Sequence, residues 1–276
     1  MSFSVNTNNG AALALQYLNQ TQQSLAAVQQ AVSTGLRVAG PKDNGATFAI
    51  AQNMRGDVAG YSAVSDSLNR GMSTVDVAMA AGQSISDLLI QMKSKALAAS
   101  DSSLDTASRA ALNEDFTALR DQITSIVQNA SFNGTNLIDG SLTGGISALA
   151  SSDGAHKITV AGQDMSLSGS IVSIAATGNI STQTAASTMI TTVETSLTAI
   201  NSALASLSSG SAKFSIQASF VQKLSDTLTT GIGNLVDANM ATESAMLTSL
   251  QTKQQLGVQA LSIANSAPQI ALSLFR

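Results

Sequence analysis

His156 is the single histidine of this 276-residue chain, standing beside Lys157 and three residues after Asp153. One imidazole cannot build a His-based metal cluster, and a His-dependent catalytic triad has little else to recruit. Cys is absent, which excludes thiol nucleophiles, thiolate metal sites and disulfides. His156 therefore reads as a solvated hairpin residue. Met54, Met72, Met79 and Met92 recur along a helical pattern, where thioethers serve as core fillers rather than as a metal stripe. Gly231, Ile232 and Gly233 form a fragment of a phosphate-loop pattern. The fragment lacks its third Gly and sits in a helical rather than a strand-turn context. Glu114 and Asp115 are adjacent carboxylates, but Leu112, Phe116 and Leu119 take the apolar face of that segment, so both carboxylates are expected in solvent. No set of nucleophile, base and metal can be assembled, and the chain reads as non-enzymatic with no cofactor.

Bulk properties narrow the partners. Only 11% of residues are charged, 44% are hydrophobic, and the net charge is -4. Without a basic stripe there is nothing to displace counterions from phosphates, so nucleic acid is not an expected partner. No run approaches the 18 or so uninterrupted apolar residues of a spanning helix, and no membrane insertion is expected. The first residues lack the positive n-region and apolar core of a cleavable signal peptide. If the protein is secreted, it leaves by a route that cleaves no signal, and a chain without Cys suits passage in an unfolded state.

The elements behind these residues are long heptad patterns. Ala11, Leu15, Leu18, Gln22, Leu25, Gln29, Val32 and Leu36 follow alternating steps of four and three, one stripe of a helix. No charged residue precedes Arg37. A solvated surface helix carries charge on its outer face, so this one is expected to be covered when it works. Breakers between Thr34 and Ala46 mark a linker. Beyond it Leu68, Met72, Val75, Met79 and Gly82, then Ile85, Leu89, Met92, Ala96 and Ala99, continue the pattern with a stammer of two consecutive threes. Asp101 to Ser103 reads as a turn, followed by a helix with Leu112, Phe116, Leu119, Ile123, Ile126 and Ala130 on its seam. A short loop should leave those two helices antiparallel.

Turn signals then cluster at Asn133–Gly134, Asp139–Gly140, Gly144–Gly145 and Asp153–Gly154. Alternation in 157–160 and 165–167 around 161–164 predicts a hairpin, with 146–150 as an additional strand. Helical pattern returns near Thr182. Ile200, Leu204, Leu207, Ser211, Phe214, Ala218, Val221, Ser225, Leu228, Ile232 and Leu235 form its seam, weakened at Ser208 to Ser211. After Lys253 the chain is uncharged up to Arg276, and Leu247, Leu250, Gln254, Gly257, Leu261 and Ala264 repeat the character of the N-terminal seam. A helix over 46–99 alone would run roughly 80 Å at 1.5 Å per residue, against a radius of gyration of about 19 Å for a compact chain of this size. The expected fold is mainly α: an elongated rod of long antiparallel helices with coiled-coil packing, a short β-hairpin region and no large outer domains.

Three blocks resemble the bacterial flagellins, most closely the short alphaproteobacterial type: Val5 to Asn8 with Leu18 and Leu25; Ser33 to Arg37 with Lys42 to Gly45; and Leu235 to Arg276, including Gln254 to Gly257, Ala260 to Asn265 and Leu272 to Arg276. Phe132 to Gly134 is a further match. The resemblance spans the chain except about 140–185. It implies a non-enzymatic subunit that polymerises into the flagellar filament for swimming motility and is secreted to the extracellular flagellum. Its implied layout is 1–45 as an N-terminal inner-tube helix and linker, 46–139 as the N-terminal part of the shell helices, 140–182 as a β-hairpin and turn region, 183–235 as the C-terminal shell helix and 236–276 as the C-terminal inner-tube helix.

The same resemblance implies self-assembly through Leu15, Leu18, Leu25, Val32, Leu36, Arg37, Leu247, Leu250, Gln254, Leu261, Asn265, Leu272, Phe275 and Arg276. It implies as partners the chain itself in a helical homopolymer, sister flagellins, an export chaperone, the type III export apparatus, and filament cap and hook-junction proteins. A hook-filament junction protein shares such ends and is the alternative; the long tail match and its Leu-Phe-Arg end favour the filament subunit. One departure stands out. Gln91, Met92, Lys93 and Ser94 occupy the place of the basic-acidic patch read by the vertebrate flagellin receptor, so weak or no receptor activation is expected.

Overall fold

The computed structural model describes residues 7–273, with side chains through Ser266. Its elements are α1 (Asn9–Thr34), α2 (Gly45–Ala99), α3 (Thr106–Asn129), β1 (Ser131–Phe132), β2 (Thr135–Asn136), β3 (Ile146–Leu149), β4 (Lys157–Val160), α4 (Gln183–Val236) and α5 (Met240–Ser273). The fold is mainly α, with two small antiparallel strand pairs. It divides into two compact units, Met1–Gly56 with Thr227–Arg276, and Asp57–Asp226.

The 57–226 unit is an antiparallel three-helix arrangement. Along α2, Gly71 lies under the Phe214 ring, Gly82 under Leu204, and Lys93 pairs with Glu194 at 2.8 Å, so α4 descends as α2 ascends. At the far end Lys95 reaches Asp115 at 2.6 Å. Arg109 donates from Nε to the Ala99 carbonyl at 2.9 Å, supplying a cation to the unsatisfied C-terminus of α2. These contacts turn α3 back antiparallel to α2, as the short loop predicts. Asp105 caps α3 by accepting from the Ser108 N–H at 2.6 Å, and Asp101 accepts from the Ser103 N–H across the turn.

The seams are regular, and the predicted stammer is absent. From Val64 onward the seam of α2 runs 64, 68, 71, 75, 78, 82, 85, 89, 92, 96 and 99 in unbroken alternation, with Thr74 also buried beside Val75. Gly71 and Ala78 hold the places assigned to Met72 and Met79, which are only partly buried beside them. On α4 the same shift occurs, with Ala203 and Gly210 buried in place of Leu204 and Ser211, while Ala218 stays packed against the core. Small residues let facing helices and the Phe214 ring approach closely. Nor does Ser208 to Ser211 weaken α4, which passes through it as helix.

The hairpin prediction is corrected in its partner. β4 pairs with β3, Ile146 opposite Val160 and Leu149 opposite Lys157, rather than with 165–167. Asp153–Gly154 forms the tip, where Gly154 takes φ 72° and Asp153 accepts from Ser151 Oγ and the Ala155 N–H. The backbone of 163–165 is engaged elsewhere, Gln163 and Met165 N–H donating to the Leu137 and Ile138 carbonyls. Met165 is fully buried against α2. The hairpin lies on both long helices: the Leu149 N–H donates to Ser67 Oγ at 3.1 Å, and Gln217 Nε2 to the Ala150 carbonyl at 2.9 Å. His156 is exposed beside its tip, as expected.

Candidate assembly surface

The second unit is built around one chain crossing. Gly35, at φ 71°, ends α1 by donating its N–H to the Ala31 carbonyl. The next residues run antiparallel to the α4–α5 junction. Arg37 and Val38 N–H donate to the Val236 carbonyl at 2.7 and 3.2 Å, and the Ala238 N–H donates to the Gly35 carbonyl. Arg37 adds its guanidinium to the Leu235 carbonyl at 2.7 Å, a cation at the C-terminus of α4. Val38, Ala51 and Val236 form a small core, with Leu36, Phe48, Ile232 and Leu235 packed around it.

Beyond this crossing α1 and α5 pair antiparallel. Asn8 Nδ2 donates to the Ala264 carbonyl at 2.7 Å, and Leu18 packs over Gly257. Each helix has a polar cap: Asn8 Oδ1 accepts from Ala11 N–H, and Asn239 Oδ1 from Ala241 N–H. On α5 the half-buried stripe is Leu247, Leu250, Gln254, Gly257, Leu261 and Ala264, the seam legible from spacing. On α1 it is Ala11, Ala14, Leu18, Thr21, Leu25, Val28 and Val32, so Leu15, Gln22 and Gln29 are displaced outward by one position.

Of the residues singled out by resemblance, Leu18, Leu25, Val32, Leu247, Leu250, Gln254 and Leu261 thus meet along the α1–α5 seam, and Leu36 and Arg37 belong to the crossing. Leu15 and Asn265 face outward, Leu15 at 48% exposure. The side chain of Leu272 and all of Phe275 and Arg276 lie outside the described residues. Sequence spacing missed the outward apolar set. Leu13 and Tyr17 stand four apart on α1, and Leu256 and Ile263 seven apart on α5, all exposed. The available signal was apolar residues at non-seam positions in segments without charge.

Among the described residues no group of three acidic or histidine side chains converges to hold a metal, and no helix is long and apolar enough to cross a membrane. Asp115 is engaged by Lys95, and Glu114 is exposed. Within Gln91 to Ser94, Met92 is fully buried and Lys93 is bound to Glu194.

Residues 5–143 match the family described as bacterial flagellin N-terminal helical region, and residues 190–275 match the bacterial flagellin C-terminal helical region. The chain belongs to the bacterial flagellin family. It is 52% identical to Flagellin FljM of Caulobacter vibrioides, over 99% of this chain and 98% of that one, and 53% identical to Flagellin FljK of the same bacterium with the same coverage. A flagellin of Brucella melitensis is 38% identical over 99% of each chain. Among solved structures, a Bacillus cereus flagellin is 22% identical, covering 61% of this chain and 91% of its own, with a TM-score of 0.45. As a flagellin the chain is a structural filament subunit rather than an enzyme; it is exported and forms the extracellular flagellar filament.

Proposed function

We propose that the α1–α5 pair is the part of this flagellin that drives polymerisation. In this reading 1–45 and 236–276 form the inner tube, 46–139 and 183–235 the surrounding shell, and 140–182 the outward-facing region. The observation that carries it is the outward face of the pair. Leu13, Leu15 and Tyr17 on α1, and Leu256, Val258 and Ile263 on α5, are exposed in segments that carry no charged side chain between Thr7 and Leu36 or between Gln254 and Ser266. Apolar surface of this kind marks a face that is covered in the working state. Charges there would need buried partners or cost several kcal/mol, which accounts for the Gln, Asn, Ser and Thr between them.

The same apolar α5 face supports an export chaperone as its occupant before secretion through the type III apparatus. The cap and hook-junction proteins are the contacts expected at the filament's two ends. Near-full-length similarity to several flagellins of one bacterium supports co-assembly with sister flagellins. Leu15→Asp tests the central assignment, because Leu15 points away from the α1–α5 seam and its charge leaves that pairing intact. The variant should keep the parent's far-UV circular dichroism and lose sedimentable filaments. Filaments at the parent's critical concentration would remove this face from the assembly surface.

A further inference from the structure

Within the 57–226 unit, the exposed large apolar residues are four: Ile90 at 53%, Leu97 at 61%, Ile216 at 71% and Phe220 at 55%. Isolated exposed hydrophobics are ordinary on any surface. These four are not isolated, for they form two pairs at helical spacing. Ile90 and Leu97 stand seven apart on α2, and Ile216 and Phe220 stand four apart on α4, so each pair occupies one stripe of its helix.

Charge separates the two stripes. Three residues before Ile90 on α2 is Asp87, and Asp76 lies two heptads before Ile90; both are exposed, with no hydrogen-bond or ion-pair partner among the described residues. The cations nearest in sequence to that stripe are already engaged, Lys93 by Glu194 and Lys95 by Asp115. Three residues before Ile216 on α4 is Lys213, exposed and likewise without a partner among the described residues. One stripe is therefore apolar and acidic, the other apolar and basic.

We propose that these stripes are the two halves of one heterologous contact: Lys213, Ile216 and Phe220 of one copy dock on Asp87, Ile90 and Leu97 of the next. The occupant is a second copy of this chain because the complement to each stripe is present on the chain itself. Like-to-like contact would oppose Lys213 to Lys213 and Asp87 to Asp87, which is penalised. A heterologous contact does not close on itself after two copies and propagates as an open assembly. The inference rests on the filament-subunit reading and adds which shell surfaces meet.

Cysteine chemistry tests it cleanly, since the chain has no Cys of its own. In filaments of the full chain carrying both Ile90→Cys and Ile216→Cys, mild oxidation should yield a ladder of covalent oligomers, while filaments of either single variant should give monomer. Dimers from a single variant, or no ladder from the double, would overturn the pairing. A charge swap gives a second readout. Lys213→Asp should raise the critical concentration for assembly about tenfold, as should Asp87→Lys, and the double variant should return it towards the parent. Unchanged assembly in both single variants would sink the proposal while leaving the filament reading intact. Failure of the parent chain itself to polymerise would overturn both.

Discussion

Gly210 and Gly56 show at single-residue scale what the seams demand. Both lie inside long helices, where Gly costs about 1 kcal/mol relative to Ala. A Cβ at Gly56 would meet nothing within 4 Å, whereas one at Gly210 would fall 2.6 Å from Val160 Cγ1 and 2.8 Å from its Cγ2. Val is stiff at χ1 and here belongs to β4, so it cannot swing aside cheaply. Gly56→Ala should therefore raise stability by about 0.8–1 kcal/mol. Gly210→Ala should lower it by about 1–3 kcal/mol despite the same propensity gain. Denaturant melts of the two variants decide this; equal and positive shifts would mean that the hairpin does not press on α4.

At the scale of elements, spacing alone established where the helices run and which heptad positions recur. It erred where a small residue stood next to a large one. Leu15, Met72, Met79 and Leu204 attracted the assignment because hydrophobic periodicity weighs size, and Ala14, Gly71, Ala78 and Ala203 look neutral to it. In the fold the close approach of facing surfaces selects the small residues, and each neighbouring large one is left half-buried or exposed. α5 escaped the error because Leu247, Leu250 and Leu261 are themselves the large residues at its seam, and the adjacent Met246 is exposed. The hairpin partner was misjudged for a related reason. Alternation in 165–167 resembles a strand, but the Met165 side chain is packed over Gly82.

Two predictions belong to this scale. The described part of α5 contains no fully buried residue, and α1 has only Leu18, Leu25 and Val28. Amide exchange in the free chain should be faster across 9–34 and 240–266 than across 64–99 and 186–221. Uniform protection would contradict the view that the pair waits for neighbours. The second concerns the α2–α3 turn. Hydrogen bonds from the Ser103 backbone and hydroxyl hold the Asp101 carboxyl below the usual carboxylate range, and those from Ser108 do the same for Asp105. A depressed folded pKa contributes stability that is complete above the unfolded value and is lost as pH falls through the folded one. Stability should thus decline below about pH 4. Asp105→Asn keeps a capping oxygen without a titrating charge and should flatten part of that decline in melts between pH 5 and 2.5.

The whole molecule carries two cores, and each is confined to one unit. The larger runs from Val64 to Val221 and draws on α2, α3, the β3–β4 hairpin, the segment from Met165 to Ile180 and α4, with Phe116 and Phe214 fully enclosed. The smaller, around Val38, Ala51 and Val236, holds the chain crossing from which α1 and α5 extend. Stability and assembly are therefore expected to separate by fragment. A chain of residues 57–226 keeps every member of the larger core and all three described ion pairs. It should melt cooperatively and retain high helicity, because helix stability in proteins comes chiefly from packing of an amphipathic face. It should also remain monomeric at concentrations where the full chain forms filaments, since the uncharged apolar pair is gone. Sedimentation and a thermal melt on one preparation measure both halves of the expectation. A fragment that melts without cooperativity would make the larger core dependent on the terminal helices. One that polymerises on its own would move the driving surface from the ends of the chain to the shell.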